Sequence, residues 1–134
     1  DILRERILEL AVQERIYDRT QLLEALKIEG VGIDPRTLSN HLIQLHKKGK
    51  IPIEIAIKLI SYSKLILTTE DGNQVSCGEV IKTLIDQNEE IKTPEISEYL
   101  SQISPVLGDI NKASLRNFKK RYLDRKSRKN LQPD

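Results

Sequence analysis

Sulfur and aromatic residues are scarce: the 134 residues include one cysteine, no methionine, no tryptophan, one phenylalanine and four tyrosines. The lone Cys77 excludes an internal disulfide framework and every cysteine-rich zinc module. An aromatic content of 4% leaves little with which to stack the bases of a single-stranded nucleic acid. No apolar run approaches the roughly 18 residues of a membrane-crossing helix. The first residues, Asp1-Ile2-Leu3-Arg4-Glu5-Arg6, are charged rather than signal-like. With no Met at position 1, the chain reads as a processed or trimmed piece of a longer product. What is present is enough for a core, since 38% of residues are hydrophobic. A soluble, cytoplasmic protein of one ordinary domain or two very small ones is expected, with no membrane segment.

Charge is nearly balanced, with 22 basic and 20 acidic side chains and a formal net charge of +2. The balance is uneven along the chain. Residues 1–110 carry 13 basic and 18 acidic side chains, whereas residues 111–134 carry nine basic against Asp124 and Asp134. A second basic island lies at 35–53, where Arg36, Lys47, Lys48 and Lys50 face no acidic residue. Local clusters, not totals, release counterions from a phosphate backbone.

The apolar spacing of Ile2/Leu3, Ile7 and Leu10/Ala11 predicts a helix over 2–14. Asp18 with Gln21 opens a second helix, with Leu22, Leu23 and Leu26 inward. Gly30-Val31-Gly32 breaks it, and Asp34-Pro35 caps a third helix running to about Lys48, with Leu38, Leu42 and Leu45 on one face. Ile51, Ile53, Ile55, Ile57 and Leu59 then alternate, which predicts a half-buried strand. A helical reading of 51–60 stays open, because Ile53, Ile57 and Ile60 also fall at helical spacing. Lys64–Thr69 is a second strand, Glu70-Asp71-Gly72-Asn73 a hairpin turn, and Gln74-Val75 a short returning strand. Ser76-Cys77-Gly78-Glu79 fits a capping box before a helix with Val80, Ile81, Leu84 and Ile85 inward. Thr93-Pro94 starts the next, burying Ile96, Tyr99 and Leu100. Asn111 caps the last, with Leu115, Phe118 and Tyr122 on its apolar side.

The two halves present the same order of parts. Ile7, Leu8, Ala11 and Val12 correspond to Val80, Ile81, Leu84 and Ile85; Asp34, Leu38 and Asn40 correspond to Asn111, Leu115 and Asn117. The fold class is therefore mainly α with a small β-hairpin (α+β), as two three-helix units of helix-turn-helix layout. Residues 1–69 form a winged unit. Residues 70–134 form a second unit with a basic C-terminal extension.

A recognition helix carries polar and basic side chains where it enters the major groove, with apolar residues behind. The first candidate offers Arg36, Thr37, Asn40, His41 and Gln44, then Lys47, Lys48 and Lys50. Arg suits guanine O6/N7, Asn and Gln suit adenine N6/N7, and the lysines meet phosphates. The second offers Lys112, Ser114, Arg116, Asn117, Lys119 and Lys120, followed by Arg125, Lys126, Arg128 and Lys129. The first is expected to supply sequence choice and the second salt-dependent affinity. Lys58, Ser61, Tyr62, Ser63 and Lys64 at a wing tip would lie on the backbone. Alternatively, the isoleucine ladder of the 51–69 hairpin pairs two subunits into a homodimer.

Catalysis finds no constellation. His41 and His46, five apart, lie on different sides of a helix as surface or groove-facing residues and form no metal set. Cys77 reads as a small buried residue. Gly30-Val31-Gly32 is a turn and not a dinucleotide loop. No enzyme, metal, cofactor or small-molecule ligand is expected.

The second half resembles the carboxy-terminal region of the RteC family, regulators of excision in bacterial conjugative transposons. The features that carry the likeness are Gly78-Glu79-Val80-Ile81 with Leu84, then Glu95-Ile96, Leu107-Gly108-Asp109 and Arg125-Lys126-Ser127-Arg128-Lys129-Asn130. It implies a DNA-binding regulator on a mobile element. Residues and resemblance together lead to a sequence-specific, nucleoid-associated duplex-DNA-binding protein. The alternative is a winged-helix-like protein-interaction module, a fragment of a larger assembly.

Overall fold

Helices at three- and four-residue apolar spacing dominate the computed structural model, which describes residues 2–131. The chain is mainly α with one small antiparallel hairpin and divides into two compact units, 1–76 and 77–134. In the first unit α1 (Ile2–Leu8) runs into a π-helical turn at Glu9–Gln13. It is followed by α2 (Arg19–Ile28), α3 (Pro35–Lys47) and α4 (Ile53–Leu59), then a 3₁₀ turn at Tyr62–Lys64 and the strands β1 (Ile66–Thr68) and β2 (Gln74–Ser76). The Asp18 carboxylate accepts the Gln21 amide at 3.1 Å, and that of Asp34 accepts the Thr37 amide at 2.6 Å, so α2 and α3 begin where their caps predict. Ile7, Leu10, Leu22, Leu26, Leu38 and Leu42 are fully buried, and α3 packs against α1, α2 and α4. Each such side chain contributes on the order of 2 kcal/mol by leaving water.

Three helix ends close with a left-handed residue whose successor amide reaches back into the last turn. Val31 donates to Leu26 beyond Gly30 (φ +86°), and Lys50 donates to Leu45 beyond Gly49 (φ +78°). At the third, Ile16 donates to Leu10 beyond Arg15 (φ +55°), where a Cβ crowds the backbone.

The strand predicted over Ile51–Leu59 is a helix. Burial there falls on Ile51, Ala56, Leu59 and Ile60, while Ile53, Ile55 and Ile57 are only half-buried, so the period is helical despite the alternation of isoleucines. Pro52, extended at φ −67° and ψ 158°, precedes the first turn, and its carbonyl accepts the amides of Ile55 and Ala56. The hairpin lies further on. β1 and β2 pair antiparallel with Leu67 opposite Val75, and the predicted turn at Glu70–Asn73 connects them. Its pairing keeps 74–76 with the first unit, so the units divide after residue 76 and not after 69. Lys58 therefore lies in α4, Ser61 just before the 3₁₀ turn and Tyr62–Lys64 within it, and the hairpin tip carries Glu70 and Asp71 instead. The ladder expected to pair two subunits through 51–69 is likewise absent from 51–60.

His46 is buried in the last turn of α3, not on the surface as the sequence reading has it. Its Nε2 accepts the Ile66 amide at 3.0 Å, so Nδ1 carries the proton and donates to the Ile51 carbonyl at 2.7 Å. One ring thus ties α3 to the segment before α4 and to β1.

In the second unit α5 (Cys77–Gln87), α6 (Thr93–Ile103), a 3₁₀ turn at Pro105–Asp109 and α7 (Lys112–Leu131) bury Cys77, Ile81, Ile85, Ile96, Leu100, Leu107 and Leu115. Asn111 caps α7 by accepting the Ala113 amide at 2.7 Å. Tyr99 is 46% exposed, against the expectation that α6 buries it, because Ile96, Ser97 and Leu100 form the inward face. Burial also shifts the repeat. Ile7, Ala11, Leu22 and Leu26 match Ile81, Ile85, Ile96 and Leu100, one residue later than the sequence correspondence of the first two helices.

Replacing His46 with Leu is expected to cost about 2–4 kcal/mol of stability, because the Ile51 carbonyl and the Ile66 amide both lose a partner inside the fold. Urea unfolding at neutral pH measures it. Arg15→Gly is expected to raise stability by about 0.5 kcal/mol, the relief of the left-handed backbone outweighing the extra freedom of the unfolded chain.

Candidate nucleic-acid interface

No acidic residue occurs in α3 from Pro35 to Lys47. With Leu38, Leu42, Leu45 and His46 turned inward, Arg36, Asn40, Gln44 and Lys47 recur at spacings of four, four and three along the opposite side. All four are exposed, and Lys48 and Lys50 continue the basic character past the helix end, also exposed. Thr37 and His41 are half-buried beside this stripe. Among the described residues, none of Arg36, Lys47, Lys48 and Lys50 forms an ion pair. Asp34 lies at the helix start, where the Thr37 amide and then its hydroxyl hold the carboxyl below the ordinary range.

Two cations that sequence reasoning passed over join the stripe from other helices. Arg4 of α1 donates from Nε to His41 Nδ1 at 3.0 Å. Arg19, the first residue of α2, donates to Ser39 Oγ at 2.9 Å. His41 and Ser39 lie on opposite flanks of the stripe, so a guanidinium stands on each side of it. Burial first, and then the Arg4 charge, lowers the His41 pKa, which favours the neutral ring. Neither contact was legible in sequence, since 37 residues separate Arg4 from His41 and 20 separate Arg19 from Ser39.

The second candidate helix uses part of its charge within its own unit. Lys119 donates to the Ile91 carbonyl at 2.6 Å, and Lys126 pairs with Asp86 at 2.7 Å and Glu89 at 3.9 Å. Tyr122, one turn before Lys126, donates its hydroxyl to the same Asp86 oxygen at 2.8 Å, and Lys82 and Lys126 lie 5.8 and 5.4 Å from its ring centre. Two predicted phosphate ligands are thus already engaged. Lys112, Ser114, Arg116, Asn117, Lys120, Arg125, Arg128 and Lys129 are exposed, with Arg125 Nε near the Arg121 carbonyl at 3.4 Å. Of the α7 side chains described, only Leu115 is fully buried.

Cys77 begins α5, yet burial pushes its thiol up to about 12, so the helix start does not make it a thiolate. Among the described residues no group of three His, Cys, Asp or Glu side chains could hold a metal ion, and no helix is long and apolar enough to cross a membrane. Compared with known protein families, curated proteins and solved structures, the chain matches none.

The Asp86 cluster gives a pH dependence of defined sign. Lys126 and then Tyr122 hold the carboxyl below its ordinary value, and Asp86 in turn raises the Lys126 pKa. The carboxylate's contribution is complete above the unfolded pKa of about 4 and is lost as pH falls through the lower folded value. The lysine's contribution is present below its unfolded pKa of about 10.4 and is lost as pH rises through the higher folded value. Thermal unfolding of the unaltered chain and of Asp86→Asn is expected to differ most at neutral pH and to converge in acid.

Proposed function

We propose that this protein binds duplex DNA with sequence preference, setting α3 in the major groove, and acts as a regulator of transcription or of a mobile element. The observation that carries the reading is the α3 stripe. Arg36, Asn40, Gln44 and Lys47 form an exposed, acid-free row on a rigid helix, between the guanidinium groups of Arg4 and Arg19. Arg36 matches guanine, and the amides of Asn40 and Gln44 match adenine. Lys47, Lys48 and Lys50 supply charge to phosphates that carry no sequence information. On this reading α7 contributes phosphate contacts through its exposed cations, of which Lys112, Arg116 and Lys120 come first along the helix. The regulatory part of the reading rests on the resemblance of residues 78–130 to the RteC region. The acidic tip at Glu70 and Asp71 gives the hairpin no part in phosphate binding.

A second reading, a protein-interaction module, draws on one observation. An open groove of about 450 Å³ on the first unit is lined by Leu23, Val31 and Ile33, with Glu24, Lys27 and Asp34 also on its walls.

Fluorescence anisotropy with labelled duplexes, carried out across a salt series, tests the first reading. Binding at low salt with a steep negative dependence on salt is expected, each phosphate contact adding about 0.9 to the log–log slope. Arg36→Ala and Asn40→Ala are each expected to cost about 1–3 kcal/mol on a selected sequence. Joint replacement of Lys112 and Lys120 is expected to reduce the slope by about 1–2, and replacement of Lys126 to leave it unchanged. No binding at low salt, or binding indifferent to both Arg36/Asn40 and Arg116/Lys120, would exclude the reading.

A further inference from the structure

The geometry points to His41 as a specificity-determining residue that donates a single hydrogen bond from Nε2 to guanine, with Arg4 as the positioning residue that fixes this tautomer. The assignment rests on the duplex-DNA reading above. An arginine side chain only donates, so His41 Nδ1, 3.0 Å from Arg4 Nε, must present its lone pair. In a neutral ring the proton then sits on Nε2. Burial and the Arg4 charge both disfavour a second proton. Among the described residues no buried side-chain polar atom lacks a partner, and Nε2 meets no acceptor within the fold, so this nitrogen is not sealed from solvent. His41 is one residue past Asn40 and three before Gln44, on the shoulder of the stripe proposed to meet base edges.

A lone donor discriminates among bases by what it meets in the major groove. Guanine offers two neighbouring acceptors, N7 and O6, with no donor between them. Adenine sets its N6 amino group beside N7, and cytosine presents an amino group that opposes an N–H. Thymine offers only O4, next to a methyl group. Guanine is therefore the base that a fixed Nε2–H favours. Without Arg4 the ring is free to move its proton to Nδ1, and Nε2 becomes an acceptor suited to the wrong bases.

Two measurements on the intact chain decide the matter. Long-range proton–nitrogen spectra of the free protein are expected to show His41 with its proton on Nε2, and Arg4→Met to bring in the other tautomer. A proton on Nδ1 of the unaltered protein would overturn the assignment, whatever the DNA result. Selection from a random duplex library is expected to give a guanine preference of about tenfold at one base pair, reduced to about twofold or less in His41→Ala and Arg4→Met. Arg4→Lys, which restores a donor to Nδ1, is expected to recover it, and preferences set by Arg36 and Asn40 are expected to persist throughout. Uniform loss of affinity with unchanged preferences would mean a phosphate or packing role and would overturn the assignment alone. Failure of the unaltered chain to bind any duplex would overturn the DNA reading and this assignment with it.

Discussion

The first unit is organised around the buried ring of His46. Its two nitrogens satisfy two backbone groups from different segments, the carbonyl of Ile51 and the amide of Ile66. Both groups lie where regular structure changes, one just before α4 and one at the start of β1, and neither atom is used there by the helix or the hairpin ladder. A buried backbone group without a partner costs on the order of 1–3 kcal/mol, so one side chain removes two such penalties. The position also fixes what the sequence beyond α3 can do. Lys47, Lys48 and Lys50 leave the helix end in a set direction because His46, between Leu45 and Lys47, cannot turn outward without breaking both bonds.

Net charge says little about this molecule until one asks which charges are engaged. Arg6 meets Glu9 and Glu14 at 3.0 Å and Glu29 at 2.8 Å, so a single guanidinium engages three carboxylates. The Glu29 carboxyl is held below its ordinary range by that contact. The acidity of the first 110 residues is therefore partly confined, while among the described residues Arg36, Lys47, Lys48 and Lys50 form no ion pair and Asp34, at the helix start, feels the Arg36 charge. In the second unit the direction is reversed. Lys119 and Lys126 belong to the packing of α7, and a count of basic residues there overstates what is available to a phosphate. Exposed ion pairs of this kind add little stability each, so their main effect is to place the potential.

Sequence made most of the helices legible because their signals are local. Asp18, Asp34 and Asn111 each accept an amide two or three residues on, and the inward residues Leu22, Leu26, Leu38, Leu42, Ile81, Ile85 and Ile96 follow from spacing alone. The hairpin turn at Asp71-Gly72 was legible for the same reason, and Gly72 takes the left-handed conformation at φ +81°. The misreading at 51–60 has a physical cause. Isoleucine at every second position fits both periods, and what decides between them is a partner strand, which the chain does not supply before β1. The candidate site was half legible. Arg36, Asn40 and Gln44 come from one helix and one spacing, whereas Arg4 and Arg19 reach the stripe only through tertiary packing. The roles of Lys119 and Lys126 were hidden in the same way, since their partners Ile91 and Asp86 lie 28 and 40 residues away.

If the proposed reading holds, electrostatics also bears on the direction in which a duplex would approach. β1 starts beside the end of α3, where the Ile66 amide meets His46, and leads to a turn bearing Glu70 and Asp71. Over the three to four residues between, a strand extends on the order of 10 Å, comparable to one Debye length at moderate salt. On the proposed reading, phosphates drawn to Lys47, Lys48 and Lys50 would thus be repelled a short distance further along the hairpin. A duplex lying over the hairpin would, on that reading, bring like charges together, whereas one lying along α3 from Lys47 toward Arg36 would meet cations and amides, with Asp34 only at the helix start. On the proposed reading, the acidic turn would act against the wrong orientation instead of contributing to the right one, and base contacts would fall to the row from Arg36 to Gln44.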